Sequence, residues 1–110
     1  MDDEQVRLYL HTQLVAAFPD LVSHYRPSGN LFLTRPCIIY EPKSLEPSYA
    51  GNKTYLVGTR FQVTILSDLP GYEDKRNIFN LPNVAVNANS SYVSSDIVHD
   101  IFTVLVNTIT

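Results

Sequence analysis

The segment "YAGNKTYLVGTRFQVTILSDLPG" (residues 49–71) contains the longest regular pattern in the chain. From Thr54 to Leu66, side chains suited to a core alternate with mostly polar ones, as in a strand that is buried on one face. About thirteen extended residues span roughly 40 Å, whereas an ordinary strand spans about 17–20 Å. We therefore expect a strand that projects past the body of a chain of 110 residues.

The two faces of this strand differ in character. One face is predicted to lie on the core, beneath an N-terminal helix; it comprises Tyr55, Val57, Thr59, Phe61, Val63 and Ile65. The other face is polar in its middle, around Arg60 and Gln62, and is expected to meet solvent or another subunit.

The preceding part of the chain begins with an amphipathic helix over residues 2–18. Its apolar stripe recurs at spacings of three and four: Val6, Leu10, Leu14, Ala17, Phe18 and Leu21. Acidic residues occupy the first turn, where they complement the positive end of the helix, and Pro19 ends it. The following "PDLVSHY" is interpreted as a short helical turn.

The remaining patterns complete the predicted fold. "RPCIIYE" predicts a strand, and residues 42–53, with two prolines and Gly-Asn, predict a long loop. A short helix is expected around residues 72–79, then a short strand in "NVAVNAN" and a β-branched strand in "DIVHDIFTVLVNTIT". The order α-β-β-α-β-β predicts one α+β domain over residues 1–110: an antiparallel sheet of about four strands with both helices on one face.

Composition narrows the classes of function. The formal net charge is −3 and the eight basic residues form no run, which argues against sequence-specific binding of nucleic acid. Cys37 is the only cysteine, so no disulfide forms within the chain. The acidic N-terminus lacks a signal-peptide pattern and no apolar segment reaches the length of a membrane span, so we expect an intracellular protein without membrane partners.

Catalytic and metal-binding motifs are missing from the sequence, which has no phosphate-binding glycine loop, CxxC or HExxH. The one polar cluster is "SSDIVHD" (94–100), where His99 could act as a base beside a carboxylate and a serine. In an extended segment, however, Asp96 and His99 point to opposite faces, and no glycine elbow exposes a serine. We predict a protein that is not an enzyme and holds no cofactor or metal, with His99 in a structural hydrogen bond and Cys37 in the core.

Tyrosines are concentrated near the ends of the predicted strands, at Tyr40, Tyr49, Tyr55 and Tyr92. They are either packing residues with one hydrogen bond each or anchors of a protein interface, where tyrosine is enriched. The sequence leaves both alternatives open. A platform for single-stranded nucleic acid would also need a basic groove, which the sequence does not indicate.

Two ordered patterns resemble a known family. The first is P-C-x-x-Y, then Y-A-x-N-x-x-Y entering a long strand; its residues are Pro36, Cys37, Tyr40, Tyr49, Ala50, Asn52, Tyr55, Phe61, Val63 and Thr64. The second runs from an aromatic residue through Asp to His before a β-rich end: Tyr92, Asp96, His99 and Phe102. Between about residues 36 and 106 the chain resembles the tail-completion or tail-terminator proteins of long-tailed bacteriophages. It departs in "VAVNANSSY", where the family tends to carry an Asp-Arg pair.

The resemblance implies a structural virion protein that forms a ring, commonly of six subunits, at the head-proximal end of the tail. Such a ring caps the tail tube and joins it to the head. The implied partners are further copies of the chain, whose ring can form on the tail alone, the major tail tube protein and a head–tail connector or stopper protein. The implied location is the virion tail or neck, and the host cytoplasm during assembly.

Two alternatives stay open at this point: a neighbouring component of the neck or head–tail connector, and a small adaptor domain unrelated to phages. The residues we expect at subunit interfaces lie in the predicted loop, along the outer face of the long strand and before the last strand: Tyr49, Asn52, Tyr55, Leu56, Arg60 and Tyr92.

Overall fold

A computed structural model of the chain describes residues 3–26, 34–50 and 53–107, with the backbone alone for residues 45–50 and 53–57. The elements in chain order are helix α1 (Asp3–Ala17), strands β1 (Val22–Tyr25), β2 (Cys37–Ala50) and β3 (Lys53–Asp68), a 3₁₀ helix (Lys75–Asn80), and strands β4 (Val84–Ser94) and β5 (Ile97–Asn107).

The described strands form one sheet in the order β1-β2-β3-β5-β4. Neighbouring strands are antiparallel except β1 and β2, which run parallel. The predicted α+β class and N-terminal helix are confirmed. The sheet has five strands and is mixed, so the predictions of about four strands and a purely antiparallel sheet need correction.

The fifth strand is β1, which the sequence analysis assigned to a helical turn. Its residues pair with the start of β2, from Val22 opposite Cys37 to Tyr25 opposite Tyr40. Four residues are too few for a periodic pattern to separate a strand from a helical turn. The backbone hydrogen bonds offered by β2, which lies more than ten residues away in the sequence, decide the conformation.

Helix α1 covers one face of the sheet, called here the helix side. Its predicted stripe is buried: Val6, Leu10, Leu14 and Phe18 join strand residues in a single core cluster. Each such side chain contributes roughly 1.5–3 kcal/mol through burial of apolar surface. The helix ends where Phe18 N–H still bonds Leu14 O, just before the proline at position 19.

The long strand is confirmed and is longer than predicted, covering Lys53–Asp68. Phe61, Val63 and Ile65 are buried in the core as expected, and Thr59 is buried beside them. Its first half also pairs with β2, because β2 continues to Ala50.

The predicted loop at residues 42–53 is therefore wrong; most of it is the far half of a β2–β3 hairpin. Two register shifts accommodate the prolines of β2, one between Pro42 and Ser44 and one between Glu46 and Pro47. Beyond Tyr40 no described strand pairs with the outer side of β2. A proline that lacks an N–H is tolerated at such an edge or bulge, so prolines were a poor sign of a loop here.

Strand register places residues from all five strands in rows across the sheet. One row runs Val22–Cys37–Leu66–His99–Tyr92, on the face away from α1, which we call the open side. A second row, on the helix side, runs Tyr25–Tyr40–Val63–Phe102–Asn89. These two rows position the surfaces described next.

Candidate interaction surfaces

The polar cluster at residues 94–100 is divided by a hairpin turn. Ser95 and Asp96 are the two turn residues between β4 and β5, with positive φ angles of 53° and 63°. Positive φ at both central positions is typical of the tight turn that matches the twist of a two-residue hairpin. Both side chains are exposed at the end of the sheet.

The histidine and the second aspartate of the cluster lie on opposite faces of β5. His99 is on the open side, where its imidazole stacks on the ring of Tyr92. Asp100 is on the helix side and is only 2% exposed. Because the strand separates them, His99 and Asp100 do not form the hydrogen-bonded base and carboxylate that a serine-based mechanism requires.

Asp100 has a partner on the 3₁₀ helix instead. Lys75 Nζ donates to Asp100 Oδ1 at 3.2 Å, whereas Asp100 Oδ2 is buried and has no partner among the described residues. A cavity of about 210 Å³ adjoins the pair; it is lined by Lys75, Arg76, Phe79, Asn89, Ser90, Ser91, Asp100 and Phe102. The ion pair attaches the 3₁₀ helix to the sheet, in addition to the buried Ile78 and the contact between Phe79 and Phe102.

A second polar contact links α1 to β2. The Tyr40 hydroxyl lies 2.8 Å from His11 Nδ1, and the Tyr40 ring is almost fully buried. Burial raises the pKa of Tyr40 above its ordinary value, and the nearby Arg7 opposes this rise. Arg7 also lies over the face of Tyr25, 4.9 Å from the ring centre. The cluster fixes the helix on the sheet at the β1 edge.

Cys37 is buried and has a free thiol. Burial raises the pKa of Cys37, and the charge of Arg35 opposes this rise. A reactive cysteine needs a stabilised thiolate in a partly exposed site. Cys37 therefore fits the predicted packing role.

The open side carries a shallow depression of about 410 Å³ between β1, β2 and β3. It is lined by Arg26, Ile39, Tyr40, Glu41, Gln62 and Thr64. Its lining mixes both charges with apolar groups and contains no paired acid and base.

The two edge strands of the sheet carry much of the exposed apolar surface. Val22 is 62% exposed on β1; Tyr92 and Val93 are 50% and 54% exposed on β4. Every described side chain from Asn87 to Ser94 is exposed. Apolar side chains on open strand edges are typical of surfaces that meet another chain.

The predicted interface residues have different outcomes. Tyr92 is on the β4 edge and half exposed. Arg60 is half-buried on the open side of β3. Tyr49, Tyr55 and Leu56 occupy strand positions in the far half of the hairpin, where side chains are not described, and Asn52 lies outside the described residues.

The exposed apolar residues Val22 and Val93 were missed by the sequence analysis. Val22 lay in a segment assigned to a helical turn, and Val93 lay beyond the end of the short strand predicted in "NVAVNAN". The sequence feature that could have indicated Val93 is the stretch from Val84 to Ser94, which contains no charged residue. Such a stretch is unusual for a strand at the edge of a sheet.

Comparisons with known proteins leave the chain without an assigned family. No protein-family model matches it, and a search of curated proteins finds no significantly similar sequence. Among the described residues, no three His, Cys, Asp or Glu side chains form a group that could hold a metal, and no helix is long and apolar enough to cross a membrane.

Proposed function

We propose that the chain is a tail-terminator subunit, which forms a ring at the head-proximal end of a phage tail. In this role it caps the tail tube and offers a docking surface to the head connector. The function depends on complementary protein surfaces and needs no catalytic centre, cofactor or metal.

The observation that carries the proposal is the position, within the sheet, of the residues that resemble the tail-terminator family. They come from separate stretches of sequence, yet Cys37 and Tyr40 on β2 share rows with His99, Tyr92 and Phe102 on β5 and β4. Several of these side chains are buried in the sheet that the rows form. With Val63 on β3, six of the fourteen residues that carry the resemblance therefore lie in two rows of the sheet, one on each face, which supports a shared structural role for them.

The β2–β3 hairpin supports the same role. Its strands have 14 and 16 residues, more than twice the usual length, and the molecule measures 50 Å along its longest axis. The described part of β5 ends opposite Gly58, while β3 and β2 continue together to Lys53 and Ala50. A projecting hairpin gives each subunit of a ring a part that reaches its neighbour or the tube beneath.

Under this proposal the partners are further copies of the chain, with six as the expected number, the major tail tube protein and a connector or stopper protein of the head. A single interface in such a ring can be weak, because the ring closes through several of them on a preformed tube. The free subunit can then be a monomer at low concentration.

The test is disruption of the gene in the phage that carries it. We expect full heads without tails, together with unattached tails that are abnormally long or fail to join heads, seen by electron microscopy. Infectious virions with tails of normal length would end the proposal. Tails of normal length that only fail to join heads would assign the protein to the neck.

Substitutions in the hairpin refine this test. Tyr49→Ala or Tyr55→Ala is expected to give part of the same defect, because tyrosines often dominate the energy of an interface. Leu8→Ala, on the exposed face of α1, is the matched control and should assemble normally. Equal defects from the tyrosine and Leu8 variants would contradict a role for the hairpin.

A further inference from the structure

The two edges of the sheet share a property that its inner strands lack. Neither β1 nor β4 contains Asp, Glu, Lys, Arg or Pro. Each of the other strands contains at least one of them, and β2 has five, all beyond Tyr40 where its outer side has no described partner: Glu41, Pro42, Lys43, Glu46 and Pro47. Proteins usually place charge and proline on edge strands to prevent pairing with another chain. The outer side of β2 beyond Tyr40, which is also an edge, follows this rule, whereas β1 and β4 lack such protection.

We propose that the β1 edge of one subunit pairs antiparallel with residues 89–92 of β4 on the next copy of the chain. The partner in this contact is a second copy of the chain, and this identity rests on the ring proposed above. The contact joins two different surfaces of identical subunits, and such head-to-tail contacts form a ring when the rotation between neighbours closes.

Strand direction fixes the sense of the pairing. β1 runs parallel to β2, β3 antiparallel to β2, β5 antiparallel to β3, and β4 antiparallel to β5. The two edge strands of one subunit therefore run in opposite directions. Rotation about a ring axis that runs along the strands preserves strand direction, so β4 meets the β1 of its neighbour in the antiparallel sense.

The rows across the sheet fix the register. Val22 is in the same row as Tyr92, and Tyr25 is in the same row as Asn89. A neighbour at the same height places its Val22 beside Tyr92 and its Tyr25 beside Asn89. The bulge in β4, between Val86 and Ala88, lies outside this segment and leaves it regular.

The side chains in this register suit each other. Val22 and Tyr92 are both on the open side and at least half exposed, and an aromatic residue beside a β-branched one is a favourable pair across strands. Two cations near the edges have carboxylate partners: Arg7 lies 3.6 Å from Glu4, and Lys75 lies 3.2 Å from Asp100. Arg26, which follows β1, lies over the ring of Tyr25. Pairing would remove no charged side chain of either strand from water.

Backbone geometry identifies the groups that the neighbour would bind. Ser94 and Ile97 flank the two-residue turn, and residues in that position exchange two backbone hydrogen bonds with each other. Along the two strands, hydrogen-bonded residue pairs then alternate with pairs that are not hydrogen-bonded. The backbone groups of Asn89, Ser91 and Val93 consequently point away from β5. Ser91 N–H lies at the centre of the proposed contact.

A cysteine pair tests the register. Residues directly opposite across antiparallel strands have Cα atoms about 4.5–5.5 Å apart, within the range of a disulfide. The double variant Val22→Cys/Tyr92→Cys is oxidised in two forms: as purified protein and in tails isolated from the phage. The purified protein is used at concentrations up to about 1 mM, so that an interface with a dissociation constant in that range is still populated. We expect a ladder of covalent oligomers whose peptides contain a 22–92 disulfide by mass spectrometry.

Two controls accompany this experiment. Leu8→Cys/Val15→Cys places two cysteines of similar exposure on α1 and measures random collision. Ser91→Pro, added to the double cysteine variant, removes the N–H that points away from β5 but no hydrogen bond between β4 and β5. It should reduce the yield of covalent oligomers at least tenfold. Ser91→Thr, which keeps the N–H, should not reduce it. Circular dichroism verifies that each variant is folded.

The outcomes separate this inference from the proposed function. If neither purified protein nor isolated tails gives a 22–92 disulfide above the α1 control, or if Ser91→Pro leaves the yield unchanged, the edge pairing is wrong. A tail defect on gene disruption without that disulfide would retain the tail role and reject the pairing. The disulfide without a tail defect would retain the pairing and reject the tail role.

Discussion

The ring of Tyr92 lies flat on the imidazole of His99, with ring centres 4.4 Å apart and planes 7° from parallel. The contact crosses from β4 to β5 on the open side, between residues directly opposite in the two strands. It gives His99 a packing role and holds the half-exposed Tyr92 in one orientation at the edge of the sheet.

We expect Tyr92 and His99 to be energetically coupled. A double-mutant cycle with Tyr92→Ala and His99→Gln should give a coupling free energy of about 0.5–1.5 kcal/mol, the range for paired aromatic rings. Urea unfolding of the four proteins measures it. Strictly additive effects would show that the stacking contributes nothing to stability.

Phe61→Ala should lower the free energy of unfolding by about 3–5 kcal/mol, because it opens a cavity in the core beneath α1. The control is Gln62→Ala, one residue along on the half-buried open side, where a change near 0.5 kcal/mol is expected. The two variants are compared by chemical denaturation. Equal losses at both positions would contradict the assignment of the core to the helix side.

Removing the partner of a buried carboxylate should be costly. Lys75→Met leaves Asp100 charged and unpaired, and we expect a loss of about 1–3 kcal/mol in the free energy of unfolding. Adding Asp100→Asn removes the buried charge and should restore part of that stability. Arg76→Met, the control on the same 3₁₀ helix, should change it little; a similar loss there would mean that the ion pair is unimportant.

Stability should decline in alkaline solution. Burial raises the pKa values of Cys37 and Tyr40 in the folded state, so the unfolded chain loses these protons at lower pH than the folded protein. Their stabilising contribution is complete below the unfolded pKa values and is lost as the pH rises through the folded ones. The urea midpoint should therefore fall above about pH 8.5, the ordinary pKa of a thiol.

Cys37→Ala separates the thiol from the phenol in this pH dependence. The variant should lose the early part of the decline and keep the later part due to Tyr40. The urea midpoints of wild type and variant are compared from pH 7 to about pH 10.5, a range that spans the ordinary pKa values of a thiol and a phenol. If the two midpoints fall in parallel over this range, the early part of the decline is not due to Cys37.

Local patterns were sufficient to predict those parts of the fold that bury a regular face. The stripe of α1 and the alternation at Phe61, Val63 and Ile65 both repeat often enough to be read from sequence. Other elements depend on partners distant in the chain. Val22–Tyr25 is a strand because β2 lies beside it, and Pro42 and Pro47 sit within a strand because its outer side has no described partner beyond Tyr40.

Strand order explains why the candidate surface was only partly predicted. Tyr92 was identified by its residue type, but nothing local places Val22 and Tyr92 in one row at opposite edges of a sheet. The second half of β4 was missed because an exposed edge strand lacks alternation, and because the turn at Ser95 and Asp96 contains no glycine.

Apart from the edge strand β1, the described sheet consists of two hairpins, β2–β3 and β4–β5, joined along one seam between β3 and β5. That seam sets Phe61 opposite Val104 and Val63 opposite Phe102, so each hairpin supplies half of a core that neither can bury alone. Folding then requires two locally formed halves to dock across a long stretch of chain, a step that slows folding as sequence separation grows. A chain cut in the connection near Glu73 would yield two fragments, each unfolded by itself, whose mixture regains the native fold by complementation.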